Sequence, residues 1–242
     1  MLNRRIAVVA GVVALVYVGA IVAGLRVRKA NFFDYFEGAK VRGAWTPPKL
    51  SEADEEVRRG ALIFNETPLY AGKFVGGKLS CGSCHAEGGT QPLASPMVGV
   101  PASFPQFNAR AGHVISLEDR IQECFVRSEN GRPLDYKGSE MRGLVAYIQW
   151  LSKPRAGAEK FVGRGFVALP DLAPDAKRGE GIYARQCAGC HGTNGEGKPL
   201  TFPPLWGPDS FNDGAGMNGV KRMAAFVHAQ PRPVFNVAYK GY

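Results

Sequence analysis

The chain has 242 residues, 45% of them hydrophobic, with 31 glycines, 17 prolines, five cysteines and a formal net charge of +9. That length accommodates two small domains, and the apolar fraction excludes a disordered or collagen-like chain. Five of the 30 basic residues (Arg4, Arg5, Arg26, Arg28 and Lys29) flank a single apolar run, leaving 25 against 21 acidic residues elsewhere, so the charge does not describe a general nucleic-acid-binding surface.

From the N-terminus, the 20 residues Ile6 to Leu25 are apolar, apart from small residues. A run of that length crosses a hydrocarbon core, whereas a cleaved signal has a shorter apolar stretch ending in a small-residue site. Val18-Gly19-Ala20 has the look of such a site, but apolar residues continue past it, and an uncleaved membrane anchor over residues 1–30 is the expectation. Cations on both sides leave the positive-inside rule little asymmetry. A tether follows over residues 31–50. Its Phe32, Phe33, Tyr35 and Phe36 suit either the lipid interface or contact with the body, and Pro47-Pro48 stiffens its end.

A first domain is expected over residues 51–153. Ser51 ahead of Glu52, Asp54, Glu55 and Glu56 reads as an N-cap with acidic residues at the positive end of a helix. Arg59-Gly60 and Ile63-Phe64 close that helix. After about thirteen inserted residues, Thr67 through Leu79, comes Cys81-Gly82-Ser83-Cys84-His85. Cys-x-x-Cys-His is the attachment sequence of c-type haem: the thiols add across two vinyl groups and the adjacent His ligates the iron. Zinc would need four good ligands per site, and a thioredoxin-like pair would not need the His.

Ser116-Leu117-Glu118-Asp119 opens a helix in which Ile121, Cys124, Phe125 and Ser128 share one stripe, so Cys124 faces inward. A second helix starts near Ser139, places Leu144, Val145, Ile148 and Leu151 on one face and ends before Pro154. For the other side of a haem iron, Met97, Met141 and the lone Cys124 are the sulfur candidates. A buried lone Cys also serves as a small core residue.

Residues 154–172, rich in Gly, Ala and Pro, form a linker. Arg178-Gly179 and Ile182-Tyr183 then repeat the approach to a second motif, Cys187-Ala188-Gly189-Cys190-His191. The two motifs use four of the five cysteines and call for two covalently bound c-type haems with their iron. In the second domain, residues 173–242, Val220, Met223, Ala224 and Val227 share a stripe, but the prolines Pro231 and Pro233 replace a closing helix. His113 and His228 read as surface or loop histidines. The fold class expected is mainly α: two tandem cytochrome c domains after an N-terminal transmembrane helix, the second apparently truncated at its C-terminus.

The run Leu117 to Gly131, with Gly88-Gly89-Thr90 and Val98 to Phe107 before it and Phe202 to Met217 in the second half, resembles the dihaem thiosulfate dehydrogenases. The resemblance spans Val57 to Ala229. It implies that Cys124, in Arg-Ile-x-x-Cys-Phe-x-Arg-Ser-x-Asn-Gly, is the distal thiolate ligand of a catalytic first haem. It also implies that Arg110 and Arg120 hold the substrate anions and that Ser128 is the nearby hydroxyl. Where the family has a Met-Pro supplying the second haem's distal ligand, this chain has Ala229-Gln230-Pro231. Met217 is the candidate in its place, with Met223, His228, Lys240 or water as alternatives.

The implied activity joins two thiosulfates into tetrathionate and sends the electrons through both haems to a cytochrome acceptor, with the reverse direction open. Two electrons match two haems, and the fixed cations Arg110, Arg120 and Arg127 suit two dianions that must meet, unless they are solvated charges or haem-propionate partners. Haem attachment to such motifs implies the periplasmic face of a bacterial inner membrane, held by the single span. Two other readings stay open: a dihaem electron carrier in which Cys124 only ligates or packs, and a subunit that conjugates thiosulfate to a cysteine of a carrier protein.

Overall fold

The structure, a computed structural model, describes residues 49–153, 161, 163–170, 173–198 and 201–229. The expected anchor, most of the tether and Lys240 lie outside these residues. Among the described residues no helix is long and apolar enough to cross a membrane.

In chain order the first module holds α1 (Glu55–Asn65), a hairpin of β1 (Gln106–Asn108) and β2 (His113–Ile115), α2 (Leu117–Arg127) and α3 (Ser139–Leu151). The cap of α1 is Asp54 rather than Ser51. Its carboxylate accepts from the Val57 amide at 2.9 Å, while Leu50–Glu52 forms a separate 3-10 turn. Both residue types cap helices, and the extended backbone that a cap requires falls at Asp54. Ser116 caps α2 as expected, in a reciprocal box with Asp119.

α1 and α3 cross at a glycine contact. A Cβ on Gly60 would lie 1.8 Å from the Gly143 carbonyl oxygen, so the helices meet backbone to backbone. Around that crossing Val57, Ala61 and Phe64 pack with Leu144, Tyr147, Ile148 and Leu151, and Ile121 and Phe125 of α2 close the core. The buried Tyr147 hydroxyl donates to the Gly88 carbonyl at 2.8 Å and ties α3 to the turn after the first Cys-x-x-Cys-His.

The insertion between α1 and that motif is pinned at both ends. Buried Thr67 donates its hydroxyl to the Ile63 carbonyl and accepts from the Cys81 amide at 3.1 Å, and the Thr67 amide donates to Ser80 Oγ at 3.0 Å. The cysteine turn is thereby fixed to the end of α1.

The second module contains α4 (Ala176–Gln186), capped by Asp175, the turn Ala188–His191, a 3-10 turn Gly216–Asn218 and α5 (Val220–Ala229). On α5 the shared stripe is largely uncovered: Val220 is 66% and Val227 57% exposed, Met223 is only half-buried, and Ala225 is the buried residue. Periodicity identifies residues that share a face, but whether that face is covered depends on what packs against it.

The stretch between the modules docks as an extended segment. The Leu93 and Ser95 amides donate to the carbonyls of Gly163 (2.7 Å) and Gly165 (3.1 Å), and Ala94 bridges Phe166 antiparallel. Loop 207–214 of the second module lies against the end of α2: the Asn212 amide donates to the Arg127 carbonyl, and Lys78 pairs with Asp209 at 2.5 Å.

Candidate functional site

A cavity of about 340 Å³ opens in the first module, and Cys81, Cys84, His85, Cys124, Arg120 and Ser128 all line it. Its apolar walls come from Phe64 of α1, Ile121 and Phe125 of α2, and Leu144 and Ile148 of α3. α2 delivers Arg120, Cys124 and Ser128 because they sit at four-residue spacing on one face.

His85 Nδ1 stands 2.6 Å from the Ser95 carbonyl oxygen. A carbonyl only accepts, so Nδ1 carries the proton and Nε2 is left as a ligand. Burial lowers the His85 pKa to about 4, so the ring is neutral at pH 7, as a metal ligand must be. Phe64 lies against this ring, centroids 6.0 Å apart. Burial also pushes the Cys84 thiol up to about 12 and the Cys81 thiol well above its ordinary value.

Cys124 is raised as well, chiefly by burial, while Arg120 beside it pulls in the opposite direction. Glu123 organises the cations: its carboxylate pairs with Arg120 at 3.0 Å and with Arg127 at 3.1 Å, and Asn108 donates to it at 3.2 Å. Glu123 was missed as a site residue, although its i−3 and i+4 spacing to the two arginines was visible. Glu129, 2% exposed, lines the same cavity with one carboxylate oxygen lacking a hydrogen-bond partner. Its sequence context carried no signal for this. Arg164, from the inter-module stretch, is a further lining cation that sequence reasoning passed over.

Arg110 is not brought to the cavity lining. It stands in the loop between β1 and β2 and donates to the Gly214 carbonyl of the second module at 2.7 Å. Met97 lines the cavity, whereas Met141 is fully buried in the helical core. His113 and His228 are exposed, as expected.

The second site repeats the first in outline. His191 Nδ1 lies 3.0 Å from the Pro203 carbonyl oxygen, which again leaves Nε2 free, and Phe202 meets the ring edge-on at 5.8 Å. Cys187 and Cys190 are half-buried. Met217 is buried in the Gly216–Asn218 turn, which makes it better shielded than Met223 or His228.

Both donor sets suit a c-type haem: two thiols and an imidazole oriented through Nδ1 at each motif, with an apolar slot at the first. Residues 68–155 match the family described as SoxA/TsdA, cytochrome c domain, and residues 174–233 match cytochrome C oxidase, cbb3-type, subunit III. The chain is 37% identical over 213 residues to thiosulfate dehydrogenase from Thiomonas intermedia, a match covering 80% of this chain and 68% of the relative. It is 41% identical over 188 residues to thiosulfate dehydrogenase from Allochromatium vinosum, covering 73% and 70%. Among solved structures, thiosulfate dehydrogenase (TsdBA) from Marichromatium purpuratum in its as-isolated form superposes with a TM-score of 0.69 at 33% identity. That match covers 79% of this chain and 44% of the other.

Proposed function

The chain belongs to the thiosulfate dehydrogenase family, and from that premise we propose that it couples two thiosulfates into tetrathionate at Cys124 and passes the electrons to a cytochrome acceptor. The observation that carries this reading is that Cys124, Arg120 and Ser128 share one cavity with the first Cys-x-x-Cys-His.

Two c-type haems, held through Cys81 and Cys84 and through Cys187 and Cys190, would supply a one-electron acceptor at each site. The protein's own residues do the rest. Arg120 and Ser128 hold sulfonate oxygens by charge-assisted and hydroxyl hydrogen bonds, and Glu123 fixes the Arg120 guanidinium for that contact. The Cys124 thiolate bonds the outer sulfur of one thiosulfate with loss of two electrons. The outer sulfur of the second thiosulfate attacks that sulfur, tetrathionate forms, and Cys124 leaves as thiolate. The proposed ligands are His85 and Cys124 for the first iron, and His191 and Met217 for the second. Arg110, which bonds the Gly214 carbonyl and lies outside the cavity lining, acts as an anion-holding residue in this scheme only by turning towards the cavity.

The reaction runs on the periplasmic side of the inner membrane, where residues 6–25 serve as the span. Cell fractionation checks this: the haem-stained chain is expected with the inner membrane, and its release in the soluble periplasmic fraction rules out the span.

The activity is tested by tetrathionate formation from thiosulfate with an artificial electron acceptor, comparing the haem-loaded protein with Cys124→Gly. The variant is expected to keep both haems and lose turnover. Equal turnover removes Cys124 from the mechanism, and no turnover in either protein, with normal reduction by dithionite, supports an electron carrier instead.

A further inference from the structure

Arg164 lines the first cavity and is not used in the sulfur chemistry proposed above. Its guanidinium donates to Ser103 Oγ at 2.7 Å, and Ser103 and Gly165 line the cavity beside it. Backbone pairing fixes the side from which it arrives. The carbonyls of Gly163 and Gly165 accept from Leu93 and Ser95, and the Ser95 carbonyl is the one that holds His85. Arg164 therefore approaches along the His85 segment, whereas Arg120, Cys124 and Ser128 come from α2.

The bend that presents it needs its neighbours to be glycine. Gly163 has φ +108° and Gly165 φ +84°, and a Cβ on Gly163 would lie 2.7 Å from Pro92 Cβ. Arg120 and Arg127 share the Glu123 carboxylate, but among the described residues no carboxylate pairs with Arg164. A guanidinium bonded to one neutral hydroxyl keeps several donors for an anion.

A haem joined through its vinyl groups to Cys81 and Cys84 carries its two propionates on the edge away from those cysteines. We propose that Arg164 binds a propionate of the first haem from the His85 side, so that the inter-module stretch is clamped to the cofactor and Arg164 helps set its potential. Arg164 is then a positioning residue that does not touch thiosulfate. The proposal rests on haem attachment and not on the tetrathionate reading.

A cation beside the haem favours the reduced state, so removing it lowers the potential. The test is a spectroelectrochemical titration, without thiosulfate, of the haem-loaded protein and its Arg164→Gln and Arg164→Lys variants, with the second haem as internal reference. In Arg164→Gln the reduced-to-oxidised ratio of the first haem at fixed potential is expected to fall about tenfold, equivalent to about 59 mV for a one-electron couple. The second haem stays unmoved, and Arg164→Lys recovers most of the loss. An unmoved first haem overturns the proposal. If the KM for thiosulfate rises while the potential holds, Arg164 belongs to the substrate site instead, and a shift of both haems overturns the specific contact. Because the potentials are read without substrate, failure of the thiosulfate reading leaves this test intact.

Discussion

Each proximal histidine is oriented by a backbone carbonyl ten to twelve residues further on, Ser95 for His85 and Pro203 for His191. This carbonyl bond selects the tautomer and could not be read from the motif, which specifies the ligand but not what turns it. Glu129 shows the converse, a side chain whose local sequence looks ordinary but whose surroundings are not. Burial raises its carboxyl to about 8, and the Cys81 thiol, acting as a hydrogen-bond donor, only partly offsets this. Haem attachment turns that thiol into a thioether and removes the donor. A carboxyl whose folded pKa lies above its unfolded value contributes stability that is complete below about 4.5 and lost as pH rises towards 8. Denaturant unfolding of the haem-loaded protein is therefore expected to show stability falling over this window, by up to about 1.4 kcal/mol per pH unit. Glu129→Gln should flatten that slope, and a slope unchanged in the variant refutes the assignment.

At the scale of elements, α2 and α3 were legible because each carries its own local signals. For α2 these were a Ser116 cap and an apolar stripe, and for α3 a stripe that stops before Pro154. The β1–β2 hairpin was not, since its three-residue strands are too short to show alternation and two of the three β1 positions are exposed. The closeness of the crossing of α1 and α3 depends on Gly60 facing Gly143, a pairing of residues far apart in the chain. Gly60→Ala forces the helices apart and is expected to cost about 3 kcal/mol. Gly143→Ala, whose Cβ would find its nearest neighbour at 3.1 Å, should cost less. Thermal unfolding of the two variants checks the order, and equal melting temperatures would show that the crossing relaxes freely.

At the scale of the whole molecule, the modules meet through loop 207–214 and the end of α2. The contact is mostly backbone and amide: Asn212 Nδ2 donates to the Val126 carbonyl at 2.8 Å and to Asn130 Oδ1 at 3.2 Å. The Lys78–Asp209 pair is solvent-exposed on both sides, which limits it to roughly 0–1 kcal/mol. Asn212→Ala, losing these two bonds and the one its Oδ1 accepts from the Gly214 amide, is expected to cost roughly 1–3 kcal/mol in denaturant unfolding. Lys78→Ala costing more than Asn212→Ala would mean that charge, not the amide, holds the contact. The sequence by itself determined the two haem-attachment motifs, the helical character of the modules and the inward face of Cys124, because each is written in spacings of a few residues that local covalent and helical geometry translate directly. Only the tertiary structure decided that Glu129 and Arg164 join the first cavity, that Arg110 reaches the second module's Gly214 carbonyl, and that the α5 stripe is exposed. Each of these depends on segments distant in the chain coming together, or failing to, and no local spacing records that.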